Sequence, residues 1–289
     1  MHKRSIEQAD LCKKGGSIKK CAVWLLLPLL LLTGCSSETF SDRLYTRAIG
    51  LTNKNGLQMS VQVFEEDGCR TVQAQSIEEA LRLEQAIAGG RVFVGHTELL
   101  CLDGTCTLDE ARSLFFGQGL SPGCKLLYAD PENYLKNTDS TSAVHTLRMA
   151  ERDGLTPVAD LSTALEEWLG AWETALVPSG TDELPTFILL HTDGSFSKLS
   201  EKAAAGMRWL RRNTGSFSVT LEGGKSEATV SRIRLYRHAA DGVLYYEVRI
   251  HTKGSQDDLR QALTKQVQEE CEAAVGEMLA ARADVIGMQ

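Results

Sequence analysis

The residue with the clearest chemical potential is Cys35, a thiol that ends the short run Leu32-Thr33-Gly34-Cys35. A cysteine thiolate is a nucleophile that can be alkylated. The two residues before it are small, which suits the narrow active site of a peptidase cutting between Gly34 and Cys35. These residue types are compatible with cleavage at this bond and with alkylation of the Cys35 sulfur.

The segment before Cys35 has the properties of an export signal. Lys19 and Lys20 precede an apolar run of twelve residues, 21–32, which is followed by small residues. Twelve residues are too few to cross a bilayer, which takes about 20, whereas this order of positive, apolar and small regions is that of a signal peptide. We predict that residues 1–34 are removed and that the mature chain begins at Cys35.

Residues 32–35 resemble the lipobox of bacterial lipoproteins, in which a diacylglyceryl group is attached to the cysteine. Two acyl chains, at about 0.8 kcal/mol per buried methylene, hold a protein on a membrane stably, whereas one chain does not. The resemblance implies an anchor on the outer face of the cytoplasmic membrane. Two alternatives need no lipid: a plain cleaved signal would leave Cys35 as a free thiol, and a buried apolar helix would keep the leader in the fold.

Charge limits the partners of the mature chain. The whole sequence has 31 basic and 38 acidic residues, and the first 34 residues hold six of the basic and two of the acidic ones. The remainder therefore carries a formal charge of about −11, which repels phosphate and argues against nucleic acid as a partner. A composition of 43% hydrophobic and 24% charged residues is that of a globular protein.

Five cysteines remain after the leader and Cys35 are set aside: Cys69, Cys101, Cys106, Cys124 and Cys271. An odd number cannot form a complete disulfide framework within one chain. Cys101 and Cys106 could close a disulfide across an Asp-Gly turn, or both could be small buried hydrophobic residues. Because the chain has no Cys-x-x-Cys pair, we expect neither a zinc site nor another metal.

Hydrophobic periodicity predicts an α+β fold of two or three small mixed domains, with antiparallel-rich sheets packed against helices. We place a tether at 35–43, one or more N-terminal α+β domains at 44–176 and a C-terminal α+β domain at 186–289, which ends in a long helix. The Pro- and Gly-containing segment 177–185 is the best candidate for a linker between them.

Alternating apolar residues predict the strands. A hairpin has arms at 45–51 and 57–64, and a second hairpin has arms at 230–237 and 244–250. Further strands are expected at 91–102 and at 124–129, the latter followed by a connecting loop at residues 130–139.

Helix starts are predicted by two capping boxes, Ser76 with Glu79 and Thr107 with Glu110. An apolar stripe predicts a third helix over 161–176, with Trp168 in the core. The long terminal helix is expected to bury residues spaced four apart, namely Leu259, Leu263, Val267, Cys271, Val275 and Leu279.

The sequence gives no sign of catalysis. It contains no Gly-x-Ser-x-Gly elbow, His-Glu-x-x-His, phosphate-binding loop or dinucleotide glycine motif. The five mature histidines are scattered, and paired carboxylates such as Glu166-Glu167 are expected on solvated helix surfaces. We therefore expect no enzyme activity and no cofactor. The cations Arg208, Arg211 and Arg212 could bind anionic lipid headgroups or an acidic partner, or could be ordinary surface residues.

The ordered motifs resemble the Ger(x)C family, the lipoprotein subunits of bacterial spore germination receptors. After the lipobox, the family has a strand like residues 48–51, a turn, and a strand like 57–64. It then has a Glu-Ala-rich helix like 76–81 and a strand like 93–100. Residues 194–199, 206–210 and 283–287 are also similar, although this chain ends where many relatives continue into further strands.

This resemblance implies a non-catalytic subunit on the outer face of the inner spore membrane. The partners it implies are two multi-spanning receptor subunits that sense nutrients and pass ions, together with the membrane itself through the lipid on Cys35. An alternative is a generic envelope lipoprotein that binds a solute or assists assembly.

Overall fold

The computed structural model describes residues 43–64, 66, 68–152, 156, 158–170, 173–180, 186–211, 217–221, 227–240, 243–253 and 257–286. The predicted leader and tether therefore lie outside the described residues, apart from Arg43. Among the helices that are described, none is both long and apolar enough to cross a membrane.

A mixed nine-stranded sheet forms the centre of the molecule. Its strands run in the order β3-β2-β1-β5-β6-β7-β8-β9, and β4 pairs with the first part of β1. Strands β1, β5, β6 and β7 are parallel, and antiparallel pairs flank them on both sides. The strands are β1 (Arg43–Thr52), β2 (Leu57–Val63), β3 (Arg70–Ala74), β4 (Arg91–Phe93), β5 (Leu99–Leu102), β6 (Lys125–Tyr128), β7 (Thr174–Ser179), β8 (Thr186–His191) and β9 (Phe196–Lys198).

Helices cover both faces of this sheet. They are α1 (Ile77–Ala88), α2 (Leu108–Arg112), which continues into a π-helical turn (Ser113–Gly117), α3 (Pro131–Asn137), α4 (Ser140–Arg152), α5 (Leu161–Trp168), α6 (Glu201–Leu210) and α7 (Asp257–Ala280). Helices α1, α2 and α5 pack on one face, and α3 and α4 pack on the other beside β1, β5 and β6. On that second face, α6 and α7 cover β7 and β8.

A second sheet of three antiparallel strands lies against α7. It consists of β10 (Phe217–Thr220), β11 (Glu227–Ala240) and β12 (Val243–Lys253), in that order. Val230 and Ile233 of β11 pack with Leu263 and Val267 of α7 in a core of their own. The α+β class is therefore confirmed.

The predicted hairpin and helix starts are observed. Strands β1 and β2 form the first hairpin, and Gly56 has a φ of 100°, which favours glycine in the turn. Thr107 and Glu110 form a reciprocal capping box. Ser76 caps α1 through the N–H of Glu79, but the Glu79 carboxylate accepts from Gln75 rather than from Ser76.

Three predicted element boundaries are wrong. The loop expected at 130–139 contains α3, which Asp130 caps and Pro131 begins. The strand expected over 91–102 is two strands, β4 and β5. The third predicted helix ends at Trp168 instead of residue 176, because Leu169 and Gly170 close it and the following segment becomes β7.

The predicted linker and domain boundary also need correction. Val177, Pro178 and Ser179 belong to β7, inside the large sheet, and residues 181–185 lie outside the described residues. Strands β8 and β9 follow the proposed boundary in sequence, yet they complete the same sheet as β1. Residues 43–286 are therefore not divided at 177–185, and Arg43–Gln289 forms one compact unit.

Candidate functional site

The predicted lipid site cannot be placed in the structure, since Gly34 and Cys35 lie outside the described residues. The first described residue is Arg43, where β1 begins.

Polar side chains meet at the carboxyl ends of the parallel strands β1, β5 and β6. Asp103 follows β5 and is only 7% exposed. Its Oδ2 accepts a hydrogen bond from the Thr52 hydroxyl at 2.6 Å, and its Oδ1 accepts from the backbone N–H and hydroxyl of Thr105 at 3.0 and 2.5 Å. Lys54 Nζ lies 3.4 Å from Asp103 Oδ2 and 3.8 Å from Asp130 Oδ2.

Ligands often bind at this edge of an open α/β sheet. Here, however, the polar side chains at the edge form hydrogen bonds with other groups of the same chain. Both oxygens of Asp103 are engaged, and the backbone N–H of Asn53 donates to the Thr105 hydroxyl at 2.6 Å. Burial, with the nearby charge of Asp103, raises the pKa of the Tyr128 hydroxyl. The cluster joins the turns after β1 and β5 and offers no free base or nucleophile.

The five histidines after Cys35 do not lie together in one cluster. His191 Nδ1 lies 2.8 Å from the hydroxyl of Thr174, its neighbour across the β7–β8 ladder, but Thr174 is fully buried and no substrate could reach it. The rings of His96, Tyr45 and Phe93 form a cluster in which each pair of centroids is 5.5 Å apart. His145 lies on α4, whereas His238 and His251 lie on the paired strands β11 and β12, where His238 Nε2 is 3.1 Å from Glu247 Oε2.

The disulfide considered for Cys101 and Cys106 is not formed. Both are buried free thiols. Cys101 packs on the α3–α4 face of the large sheet with Leu99 and Leu127, whereas Cys106 packs in the core on the opposite face. Burial raises the pKa of each thiol, so neither is a ready nucleophile. Their role as small buried hydrophobic residues is the alternative that the structure favours.

The arginine cluster is not a surface patch. Arg208 and Arg211 have side chains that are 13% and 10% exposed, and each faces a buried carboxylate. Arg208 Nη2 lies 3.6 Å from Glu270 Oε2, and Arg211 forms an ion pair with Glu167. Arg212 lies outside the described residues. The hypothesis that these cations bind lipid headgroups is therefore wrong for Arg208 and Arg211, because they neutralise acids inside the fold.

Glu270 is the acid at the centre of the α6–α7 interface. Its Oε2 accepts from the indole N–H of Trp209 at 2.5 Å, and its Oε1 accepts from Gln266 at 2.8 Å. Trp209 is fully buried, and Glu270 is 7% exposed. Since a buried carboxylate is stable only when its oxygens are hydrogen-bonded, this network fixes how the two helices meet.

Glu167 was expected on a solvated surface, and that expectation is wrong. Glu167 lies in the last turn of α5, and its carboxylate points into the protein. Its Oε2 accepts a hydrogen bond from the backbone N–H of Leu176 in β7 at 2.9 Å. Arg211, just after α6, pairs with the other oxygen. Burial outweighs the Arg211 charge and raises the pKa of Glu167 to about 7. One carboxylate thus connects α5, β7 and the end of α6.

We expect the contribution of Glu167 to the free energy of unfolding to fall by up to about 3 kcal/mol as the pH rises from about 4.5 to about 7. The reason is that the folded chain holds a proton on Glu167 that the unfolded chain releases over this range. Urea unfolding at several pH values would measure the slope. Glu167→Gln should flatten it, and the exposed neighbour Glu166 provides a control in Glu166→Gln, which should not. A slope unchanged by Glu167→Gln would refute this assignment.

An apolar groove of about 700 Å³ lies between α7 and β12. Val248 and Ile250 of β12 form one wall, and Cys271, Val275 and Leu279 of α7 form the other. We call this the α7–β12 groove. Leu279 is 58% exposed, and burial raises the pKa of the Cys271 thiol to about 12. The groove thus lies beside the second sheet and is lined mainly by apolar side chains.

Over the described ranges, no group of three or more His, Cys, Asp or Glu side chains could hold a metal ion. Comparison of the chain with protein families, curated proteins and solved structures found no match.

Proposed function

We propose that this protein is a membrane-anchored lipoprotein that serves as a non-catalytic subunit of a spore germinant receptor. The observation that carries the proposal is the sequence at the start of the chain. Two lysines, twelve apolar residues and the small residues before Cys35 occur in the order that lipid attachment requires. The receptor role comes from the resemblance to the Ger(x)C family.

The main effect of the anchor would be to hold the protein at the membrane, close to its partners. A diacylglyceryl group on Cys35 gives two acyl chains, which is enough for stable attachment. The seven residues between Cys35 and Arg43 can extend no further than about 25 Å. A short tether of this kind raises the effective concentration of the protein for partners in the same membrane without any new contact. Such partners would be the two multi-spanning subunits.

The proposed non-catalytic role agrees with how several polar groups are used in the described part of the chain. Asp103, Glu167 and Glu270 are each engaged by the chain's own donors, and the Thr174 hydroxyl beside His191 is buried. An enzyme needs a nucleophile, acid or base that the substrate can reach. These groups instead hold the fold together, as expected for a protein that works through its surfaces.

Two measurements on the native host test the proposal separately. Mass spectrometry of the isolated protein should show a chain that begins at Cys35 and carries a diacylglyceryl group. Spores that lack the gene should fail to germinate with at least one nutrient, but should still germinate with a trigger that bypasses nutrient receptors. A lipid on Cys35 with normal germination on every nutrient would leave an envelope lipoprotein of another function. An unmodified Cys35 would remove the anchor altogether.

A further inference from the structure

The α7 wall of the α7–β12 groove contains apolar residues that the core covers only in part. The buried side of α7 consists of Leu263, Val267, Glu270, Ala274 and Met278. Cys271 and Val275 are only partly buried, and Leu279 is exposed. Cys271, Val275 and Leu279 follow one another at intervals of about one helical turn, on the side of α7 next to its buried residues. They form a second apolar row that lines the groove, although Cys271 and Val275 also contact the margin of the core.

The other wall of the groove is the edge of a sheet. β12 pairs with β11 on one side, and no strand in the described part of the chain pairs with its other side. An edge strand presents unpaired N–H and C=O groups that can pair with another strand. β12 has eleven residues, long for an edge strand left open beside an apolar surface. The groove and the open edge together form a surface that a further strand and helix would complete.

The charges on β12 indicate which strand fits. Glu247 and Arg249 lie on the face of the strand opposite Val248 and Ile250, because side chains alternate along a strand. Their side chains are 43% and 54% exposed, and they pair with each other along the strand, with Arg249 Nε 2.6 Å from Glu247 Oε1. The edge thus carries one acid and one base, two residues apart, on either side of Val248.

We propose that this surface binds a second copy of the same chain, with the two β12 strands antiparallel about a twofold axis at Val248. In this register Glu247 of each copy lies opposite Arg249 of the other, and opposite charges in this position are favourable. An axis at Glu247 or at Arg249 would instead place two identical charges opposite each other. The strand is therefore self-complementary in one register, as a twofold interface requires.

The pairing would also cover the apolar groove. It joins two three-stranded sheets into one six-stranded sheet, with both α7 helices on the same face. The row of Cys271, Val275 and Leu279 then faces the equivalent row of the second copy. Backbone hydrogen bonds along β12 and burial of this row would both favour association.

Charge reversal at the two exposed positions tests the proposal without disturbing the core. The full chain, in detergent micelles, should form a dimer by native mass spectrometry and sedimentation at micromolar concentration. Glu247→Arg and Arg249→Glu should each weaken the dimer by about tenfold or more, because each places like charges opposite each other in both pairs.

Mixed in equal amounts, the two variants should form a heterodimer, because one variant then carries two cations on β12 and the other carries two anions. The double variant Glu247→Arg/Arg249→Glu should recover the homodimer.

Asp109→Arg is a matched control, since it makes the same change of charge at a side chain that is 89% exposed and far from β12 in sequence. It should leave the dimer unchanged. A wild-type chain that stays monomeric at about 100 µM would overturn the proposal. So would single variants that dimerise as the wild type does, or a mixture of the two that fails to associate.

Discussion

Replacement of Cys35 by serine is expected to abolish both lipid attachment and removal of the leader. The hydroxyl of serine is a far weaker nucleophile than a thiolate, so the diacylglyceryl group is not transferred. In the lipobox pathway the chain is cut only after the cysteine carries its lipid. The intact mass should therefore include residues 1–34 and lack the glyceride, and labelled fatty acid should no longer enter the protein.

The leader itself supplies a matched control. Cys21 lies in the apolar run and is removed with the leader in the proposed pathway. Cys21→Ala takes away a thiol but keeps the run apolar, so processing and lipid attachment at Cys35 should proceed as in the wild type. If Cys35→Ser still incorporated labelled fatty acid, the lipid would be attached elsewhere and the site assignment would be wrong.

Local sequence signals predicted the elements that depend on neighbouring residues. The first hairpin follows from the alternation of Leu57, Met59, Val61 and Val63 and from a turn that ends in Gly56. The Thr107 capping box needs only four consecutive residues. Interactions of this range are encoded within one segment, so the sequence is sufficient to place them.

The stripe predicted for the terminal helix shows where such reasoning fails. A step of four residues turns a helix by about 400°, or about 40° beyond a full turn. Over five such steps, from Leu259 to Leu279, the row rotates by about 200° and leaves the core side. The buried row instead alternates steps of four and three residues, from Leu263 through Val267 and Glu270 to Ala274. Correct spacing would have placed Glu270 in the interface.

The buried ion pairs could not be predicted from the sequence. Glu167 meets Arg211, and Arg208 approaches Glu270, across 44 and 62 positions of the chain respectively. Each side chain alone resembles an ordinary charged residue on a helix surface. Only the tertiary fold, which packs α6 on α7 and brings Arg211 beside the last turn of α5, places opposite charges together with enough hydrogen bonds to offset the cost of burial.

The α6–α7 contact gives the second large expected effect, in Gly206→Ala. A Cβ atom at Gly206 would lie 2.0 Å from the backbone oxygen of Glu270 and 2.9 Å from Cβ of Ala274. The closest of these atoms belong to a helix backbone, which cannot rotate away as a side chain could. The two helices would have to separate, which would weaken the Trp209–Glu270 hydrogen bond between them. We expect a loss of at least about 3 kcal/mol in the free energy of unfolding.

Gly276→Ala is the control that separates this contact from helix propensity. Gly276 lies in α7, and no atom lies within 4 Å of the Cβ that alanine would add. Alanine favours a helix interior by up to about 1 kcal/mol over glycine, so this variant should be slightly more stable. Urea unfolding followed by tryptophan fluorescence at submicromolar concentration would measure both variants without a contribution from association. Equal effects of the same sign would mean that α6 and α7 do not approach each other at Gly206, and the interface built on Glu270 would then have to be abandoned.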